Sequence, residues 1–191
     1  MSRLPAEEWS LLGSECLLDR PHLQVFEEKV GTPSRPAGVS WTVVRRKRAV
    51  VVAPQLVNGN FILVRQERAA IRSLTWEFPA GQIDGEPTPD HIRETAHREL
   101  LEEAGGICKG LLIPLGHFFS SAGFTDEQAS LFLAQDVELT QRTGDSQGGE
   151  MIVDVAERSP ADLSAMIASG EIFDANTLAL YARLHAGGYL A

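Results

Sequence analysis

The segment Arg98-Glu99-Leu100-Leu101-Glu102-Glu103-Ala104-Gly105 carries the densest set of chemistry-bearing side chains in the chain. In a helix, Glu99 and Glu103 stand one turn apart on one face, and Glu102 sits beside them. Three carboxylates therefore converge. Like charges at these spacings destabilise a bare helix by roughly 0.2–0.5 kcal/mol per pair, so the cluster requires a counter-cation or full solvation. Hard oxygen donors on a rigid element suit Mg2+ or Mn2+, which then gather phosphate oxygens as further ligands. The simpler alternative is a solvated acidic face on which Arg98 pairs with Glu102 four residues on.

Positioning these acids requires a helix with firm ends. Thr88-Pro89-Asp90 supplies a capping oxygen, a proline where no amide donor is needed, and an acid in the positive first turn. The spacing predicts a helix over 89–104, closed by Gly105-Gly106 in the left-handed conformation. Ser159-Pro160-Ala161-Asp162 repeats the start signal with Gly170 as the stop, and a third helix is predicted at 175–186. Runs at 39–45, 49–53 and 61–65, the last two bracketing Asn58-Gly59, read as an antiparallel meander. Further strands are predicted at 74–78, 110–119 and 129–134. The fold class is α/β (α+β), with a mixed or antiparallel sheet. The turn formers of residues 31–38 are expected to join an N-terminal arm, 1–38, to a body, 39–191.

Composition narrows the function. The 191 residues carry 17 basic and 26 acidic side chains, a net charge of -9, whose field repels a phosphate backbone unless a cation intervenes. Neither nucleic acid nor a membrane is an expected partner. Cys16 and Cys108 are the two cysteines, and the chain is long enough to bury a core without a disulfide. With no signal-peptide pattern or apolar spanning run, the expected setting is cytoplasmic.

Upstream of the acidic helix, Phe78-Pro79-Ala80-Gly81-Gln82-Ile83-Asp84-Gly85-Glu86 forms a glycine-containing loop. Loop, glycine and helix together resemble the signature of the Nudix hydrolase superfamily, which implies a mixed β-sheet sandwiched between helices. Arg98, Glu99, Leu100, Glu102, Glu103 and Gly105 match its helical half. The loop half departs: four residues separate Gly81 from Glu86 and eleven separate Glu86 from Arg98, as a short insertion would produce. Gly106 stands where an apolar residue is usual. Val64-Arg65-Gln66-Glu67-Arg68, Trp76-Glu77-Phe78-Pro79-Ala80-Gly81, Ser121-Ala122-Gly123 and Gly148-Gly149-Glu150 are similar to segments of the ADP-ribose pyrophosphatase-like branch. Ala122 replaces the proline associated there with ADP-ribose specificity.

The resemblance implies Mg2+-dependent hydrolysis of a nucleoside diphosphate linked to another moiety, ADP-ribose or a related nucleotide sugar, by a homodimer. It implies two or three Mg2+ per site, with Mn2+ a possible substitute. Their ligands would be Glu99, Glu102, Glu103 and the main-chain carbonyl of Ala80, with Arg98 orienting the acids. Glu150 is the expected general base, with Asp145 and Glu127 as fallbacks. Trp41 would stack on the base and Arg68 would contact phosphate, against the alternatives of a half-buried strand aromatic and an arginine pairing Glu67 or Glu77. Gly123 would line the substrate site. Trp9 and Trp76 are expected to be packing residues, and the histidines to carry no chemistry. A Nudix-fold module that binds a nucleotide sugar without cleaving it is the alternative function, and a purely structural acidic helix is the third.

Overall fold

Long strands with exposed side chains open the chain, and short buried ones follow. The computed structural model describes residues 9–142 and 151–190. The chain divides into two units, one comprising residues through Lys47 with Phe119–Glu127, the other Arg48–Phe118 with Gln128 onward.

In the first unit, β1 (Ser10–Arg20), β2 (Leu23–Thr32) and β3 (Arg35–Arg45) form an antiparallel sheet in chain order. The turn formers of 31–38 are no linker, because Thr32 Oγ1 accepts the Arg35 amide at 3.1 Å and closes a tight β2–β3 hairpin. The expected 38/39 boundary thus falls inside β3. Every residue of β1 is exposed, Leu11 and Leu12 among them, and Trp9 is 52% accessible, a surface residue and not a packing one. At the end of β3, the Val44 amide donates to the Phe124 carbonyl at 2.8 Å, which ties the 119–127 segment to the sheet.

The second unit is organised by period-two alternation. Its elements are β4 (Ala49–Pro54), β5 (Phe61–Arg68), β6 (Ser73–Glu77), β7 (Ala80–Gln82), α1 (Pro89–Ala104), β8 (Gly106–Cys108), β9 (Leu112–Phe119), β10 (Gln128–Ala134), β11 (Val137–Leu139), β12 (Met151–Arg158), α2 (Pro160–Ser169) and α3 (Ala175–Ala186). Val51, Phe61, Leu63, Leu131 and Leu133 join Leu163 of α2 and Leu180 and Leu184 of α3 in one buried cluster. Their neighbours Val50, Val52, Ile62, Val64 and Phe132 pack with Ala96, Leu100 and Ala104 of α1 in another. The strands are therefore buried on both faces between α1 and the α2–α3 pair. One sheet runs β7-β4-β10-β9, with β4 antiparallel to β7 and parallel to β10, a mixed sheet. A second runs β12-β5-β6, antiparallel throughout, and β8 pairs with β11.

The expected meander does not form. β3 belongs to the arm sheet, and β4 and β5 meet only at an isolated Gln55–Phe61 bridge before diverging into different sheets. Asn58-Gly59 still makes the turn, with Gly59 at φ 85°; β4 instead pairs along its edges with β7 and β10, while the helices cover both its faces.

The helices follow their punctuation. Thr88 Oγ1 accepts the His91 amide and Gly105 closes α1 at φ 67°. Ser159 and Asp162 form a capping box on α2, and Asp174 caps α3. Gly106 departs from the family pattern for a steric reason: a Cβ there would stand 2.7 Å from Leu100 Cδ1 and 2.9 Å from Val137 Cγ1.

Candidate active site on the acidic helix

Two rows of α1 side chains are buried, each repeating every four residues. Ala96, Leu100 and Ala104 form the apolar row, and Thr95, Glu99 and Glu103 form the other. Glu99 is 5% and Glu103 4% accessible, so the reading of a solvated acidic face fails at these two positions. Burying carboxylates costs several kcal/mol each unless charge and hydrogen bonds offset it. Glu102 and Glu103 also lie in the negative last turn, which holds no basic residue to complement the helix dipole. Local propensity alone would not select this arrangement, and such conflicts concentrate at functional sites.

The offsetting contacts are specific. Arg98 donates to Glu99 Oε1 at 2.5 Å and to Glu102 Oε2 at 2.6 Å, joining the two acids through one guanidinium. Burial opposes its charge, and the two carboxylates outweigh burial and hold its pKa above the ordinary arginine value. This pairing is the one the simpler sequence reading anticipated for Glu102, and it also fits the orienting role. Glu103 Oε2 accepts the Ala80 amide at 2.8 Å. The Val52 amide donates to Pro79 and the Ile83 amide to Arg48, so Ala80, opposite Val51, occupies a position whose N–H and C=O both point away from β4. The Ala80 carbonyl thus leaves the edge strand on the side from which Glu103 approaches.

Gly81 completes the cradle. A Cβ built there would fall inside the Glu99 carboxylate, so the helix acid rests directly on the loop backbone. This is a space requirement: Gly81 is not among the glycines with positive φ. Glu86, by contrast, is exposed, and its carbonyl takes the Thr88 amide and His91 Nδ1, each at 2.9 Å. The loop carbonyl of Glu86 thus receives the start of α1, and His91 braces that loop.

Beside the acidic row, Arg68 grips Glu77, which is 1% accessible, through both Nε and Nη2, and Thr75 Oγ1 donates to the same carboxylate. The alternative sequence reading for Arg68, a pairing with Glu77, is realised. The hydrogen bond to Glu77 raises the Arg68 pKa, and the charges of Asp174 and Glu103 add to it. Burial, then Glu77, pushes the Asp174 carboxyl up. The steric role of Gly81 and the buried charge of Glu77 and Asp174 were missed by sequence reasoning; an acid between Trp76 and Phe78 was the available signal.

Other expected residues fall elsewhere. Glu150 and Asp145 lie outside the described residues. Glu127 pairs with Arg46 at 3.0 Å and accepts the Ser120 hydroxyl at 2.7 Å, commitments that suit a structural acid. Trp41 is half exposed and its Nε1 donates to the Gly123 carbonyl at 2.8 Å, so these two predicted residues do meet, within the first unit. Trp76 is buried and packs as expected, with Arg65 and Arg158 over its ring.

Among the described residues, no three Asp, Glu, His or Cys side chains stand as an assembled metal-binding group, and Arg98 bridges Glu99 and Glu102. The donor chemistry nonetheless fits a hard divalent cation. Glu77, Glu99, Glu102, Glu103 and Asp174 set five carboxylates against the guanidiniums of Arg68 and Arg98, and two of those carboxylates lie buried on one helix row beside the Ala80 backbone.

A mixed sheet held between helices, with an acidic helix laid against a proline-alanine-glycine loop, is the arrangement of a Nudix domain. The NUDIX domain family profile matches residues 45–181, and the chain belongs to that family. Among its relatives, the ADP-ribose pyrophosphatase of Bacillus subtilis (strain 168) is 29% identical over 170 residues, 89% of this chain and 89% of that protein. The ADP-ribose pyrophosphatase of Mycobacterium tuberculosis (strain ATCC 25618 / H37Rv) is 29% identical over 150 residues, 78% and 70% of the two chains. The crystal structure of an ADP compounds hydrolase shares the fold at a TM-score of 0.74 and 18% identity, covering 98% of this chain and 100% of that one.

Proposed function

We propose that this Nudix pyrophosphohydrolase cleaves, with Mg2+, the diphosphate of a nucleoside diphosphate joined to a sugar. ADP-ribose, split into AMP and ribose 5-phosphate, is the first substrate to test. The observation that carries the reading is the burial of Glu99 and Glu103 on one row of α1 against Ala80 and Gly81. An acidic helix serving structure alone would turn that row to water. Similarity to two ADP-ribose pyrophosphatases supports the nucleotide class.

Glu99, Glu102, Glu103 and the Ala80 carbonyl would hold two or three divalent ions, with Mn2+ able to replace Mg2+. When bound, such ions activate the attacking water and neutralise charge on the diphosphate oxygens. The chain's own residues do the rest. Arg98 fixes the rotamers of Glu99 and Glu102. The Ala80 amide fixes Glu103. Arg68, oriented by Glu77 along one edge, presents its Nη1 edge to a phosphate oxygen. Trp41, held by the Gly123 carbonyl, offers the stacking surface for the base. Glu150 is the general base of this reading. The exposed apolar strand β1 suits burial in a homodimer, and a cytoplasmic setting is consistent with both cysteines being unpaired.

Glu103→Gln keeps an oxygen for the Ala80 amide but removes the charge. Its kcat/KM for ADP-ribose in Mg2+ is expected to fall by about 100-fold or more with native far-ultraviolet circular dichroism. Hydrolysis near the wild-type rate would reject the assignment. Glu150→Gln is expected to lower kcat and leave Mg2+ affinity in place.

A further inference from the structure

A cavity of about 570 Å³ opens where the β5–β6 hairpin meets the start of α3, bounded by Arg68, Ile71, Ser73, Glu77, Phe173 and Asp174 among others. We propose that this cavity receives the sugar carried on the diphosphate, and that Asp174 and Phe173 select a neutral hydroxylated group there. This rests on the pyrophosphohydrolase reading above.

Size and position agree with that role. The volume lies within the roughly 300–1,000 Å³ of small-molecule sites. Glu77, one of its lining residues, precedes Ala80 by three residues, no more than about 10 Å of extended chain, and the Ala80 amide holds Glu103. The charge of Arg68 also acts on Glu103. A group in the cavity is therefore within reach of a diphosphate gripped at the acidic row.

Charge sets the chemistry. Two carboxylates, Glu77 and Asp174, face one guanidinium, and Arg68 spends its Nε and Nη2 on Glu77. A further phosphate entering here would meet net negative charge in a partly desolvated space, where like charges repel more strongly than in water. Sugar hydroxyls would meet acceptors. Asp174 commits Oδ2 to the Thr177 amide at 2.9 Å and hydroxyl at 3.0 Å, which leaves Oδ1 as its acceptor for a ligand. Burial raises its carboxyl, so a donor hydroxyl relieves a group that water solvates poorly. Phe173 and Ile71, 46% and 56% accessible, supply the apolar rim against which the C–H face of a sugar ring packs.

The test compares ADP-ribose with ADP, which carries the same nucleotide and no sugar, the latter as a competitive inhibitor. Asp174→Asn retains the helix cap, since asparagine caps as well as aspartate, and Phe173→Ala removes the rim. In each variant the ratio of the ADP inhibition constant to the ADP-ribose KM is expected to fall about fivefold, the loss of one hydrogen bond or one ring contact. Unchanged ratios in both variants, with wild-type hydrolysis intact, overturn the sugar subsite and leave the enzymatic reading standing. A wild type inert towards every ADP-linked sugar overturns both.

Discussion

Gly81→Ala isolates the geometry of the acidic cradle from its charge. The substitution adds one methyl group to an edge strand at a position with no left-handed backbone requirement, so the fold should tolerate it. Its Cβ would nevertheless occupy the space of the Glu99 carboxylate. To restore ordinary van der Waals separation the carboxylate must retreat by more than about 1 Å, and displacement on that scale costs catalysis about 100-fold. That loss corresponds to about 2.7 kcal/mol of transition-state stabilisation. Arg98 would follow Glu99, because one guanidinium joins Glu99 and Glu102, so metal affinity should weaken as well. Steady-state kcat/KM for ADP-ribose reads the first effect, and Mn2+ titration followed by electron paramagnetic resonance reads the second without turnover. A native Gly81→Ala protein with kcat/KM within twofold of wild type and unaltered Mn2+ affinity would refute the claim that Glu99 must rest on the loop.

Trp41→Ala is expected to raise KM for ADP-ribose about tenfold with little change in kcat, from the loss of a base-stacking surface; an unmoved KM would return Trp41 to its role of anchoring Gly123. Leu100 is fully buried between α1 and the sheet, so Leu100→Ala should cost about 2–5 kcal/mol in urea unfolding, and a cost below 1 kcal/mol would contradict the packing described. Asp174 supplies a pH signature. Burial, then Glu77, raises its folded-state pKa above the ordinary 3.8. Between these two values the folded protein keeps a proton that the unfolded chain has released, so this group lowers stability as pH rises through the window. Asp174→Asn should remove that share of the slope in urea midpoints measured from pH 4 upward, and parallel wild-type and variant curves would contradict it.

Some of the site lay open in the residue pattern. Thr88-Pro89 and Gly105 bound the acidic helix by capping chemistry that acts within a few residues, and α1 begins and ends where those residues place it. The other two helices obey equally local rules. Strand existence was similarly legible, but strand partnership was not. β4 and β5 flank a good turn and still part company, because each pairs along its edges with other strands, β4 with β7 and β10 and β5 with β6 and β12, a choice no local pattern makes. The 31–38 run shows the reverse error: its turn formers make a hairpin, and nothing local distinguishes a hairpin tip from a linker.

The sequence by itself determined that three carboxylates share one stretch of capped helix and that a glycine loop precedes them, while the mixed fold entered only through the resemblance to the Nudix superfamily. Helical periodicity and capping are properties of neighbours along the chain, and need nothing else. Whether those acids face water or the loop, which of them Arg98 bridges, and that Glu77 holds Arg68 beside a cavity were decided only by tertiary structure. Each depends on which surfaces exclude water, and burial is a property of the folded whole.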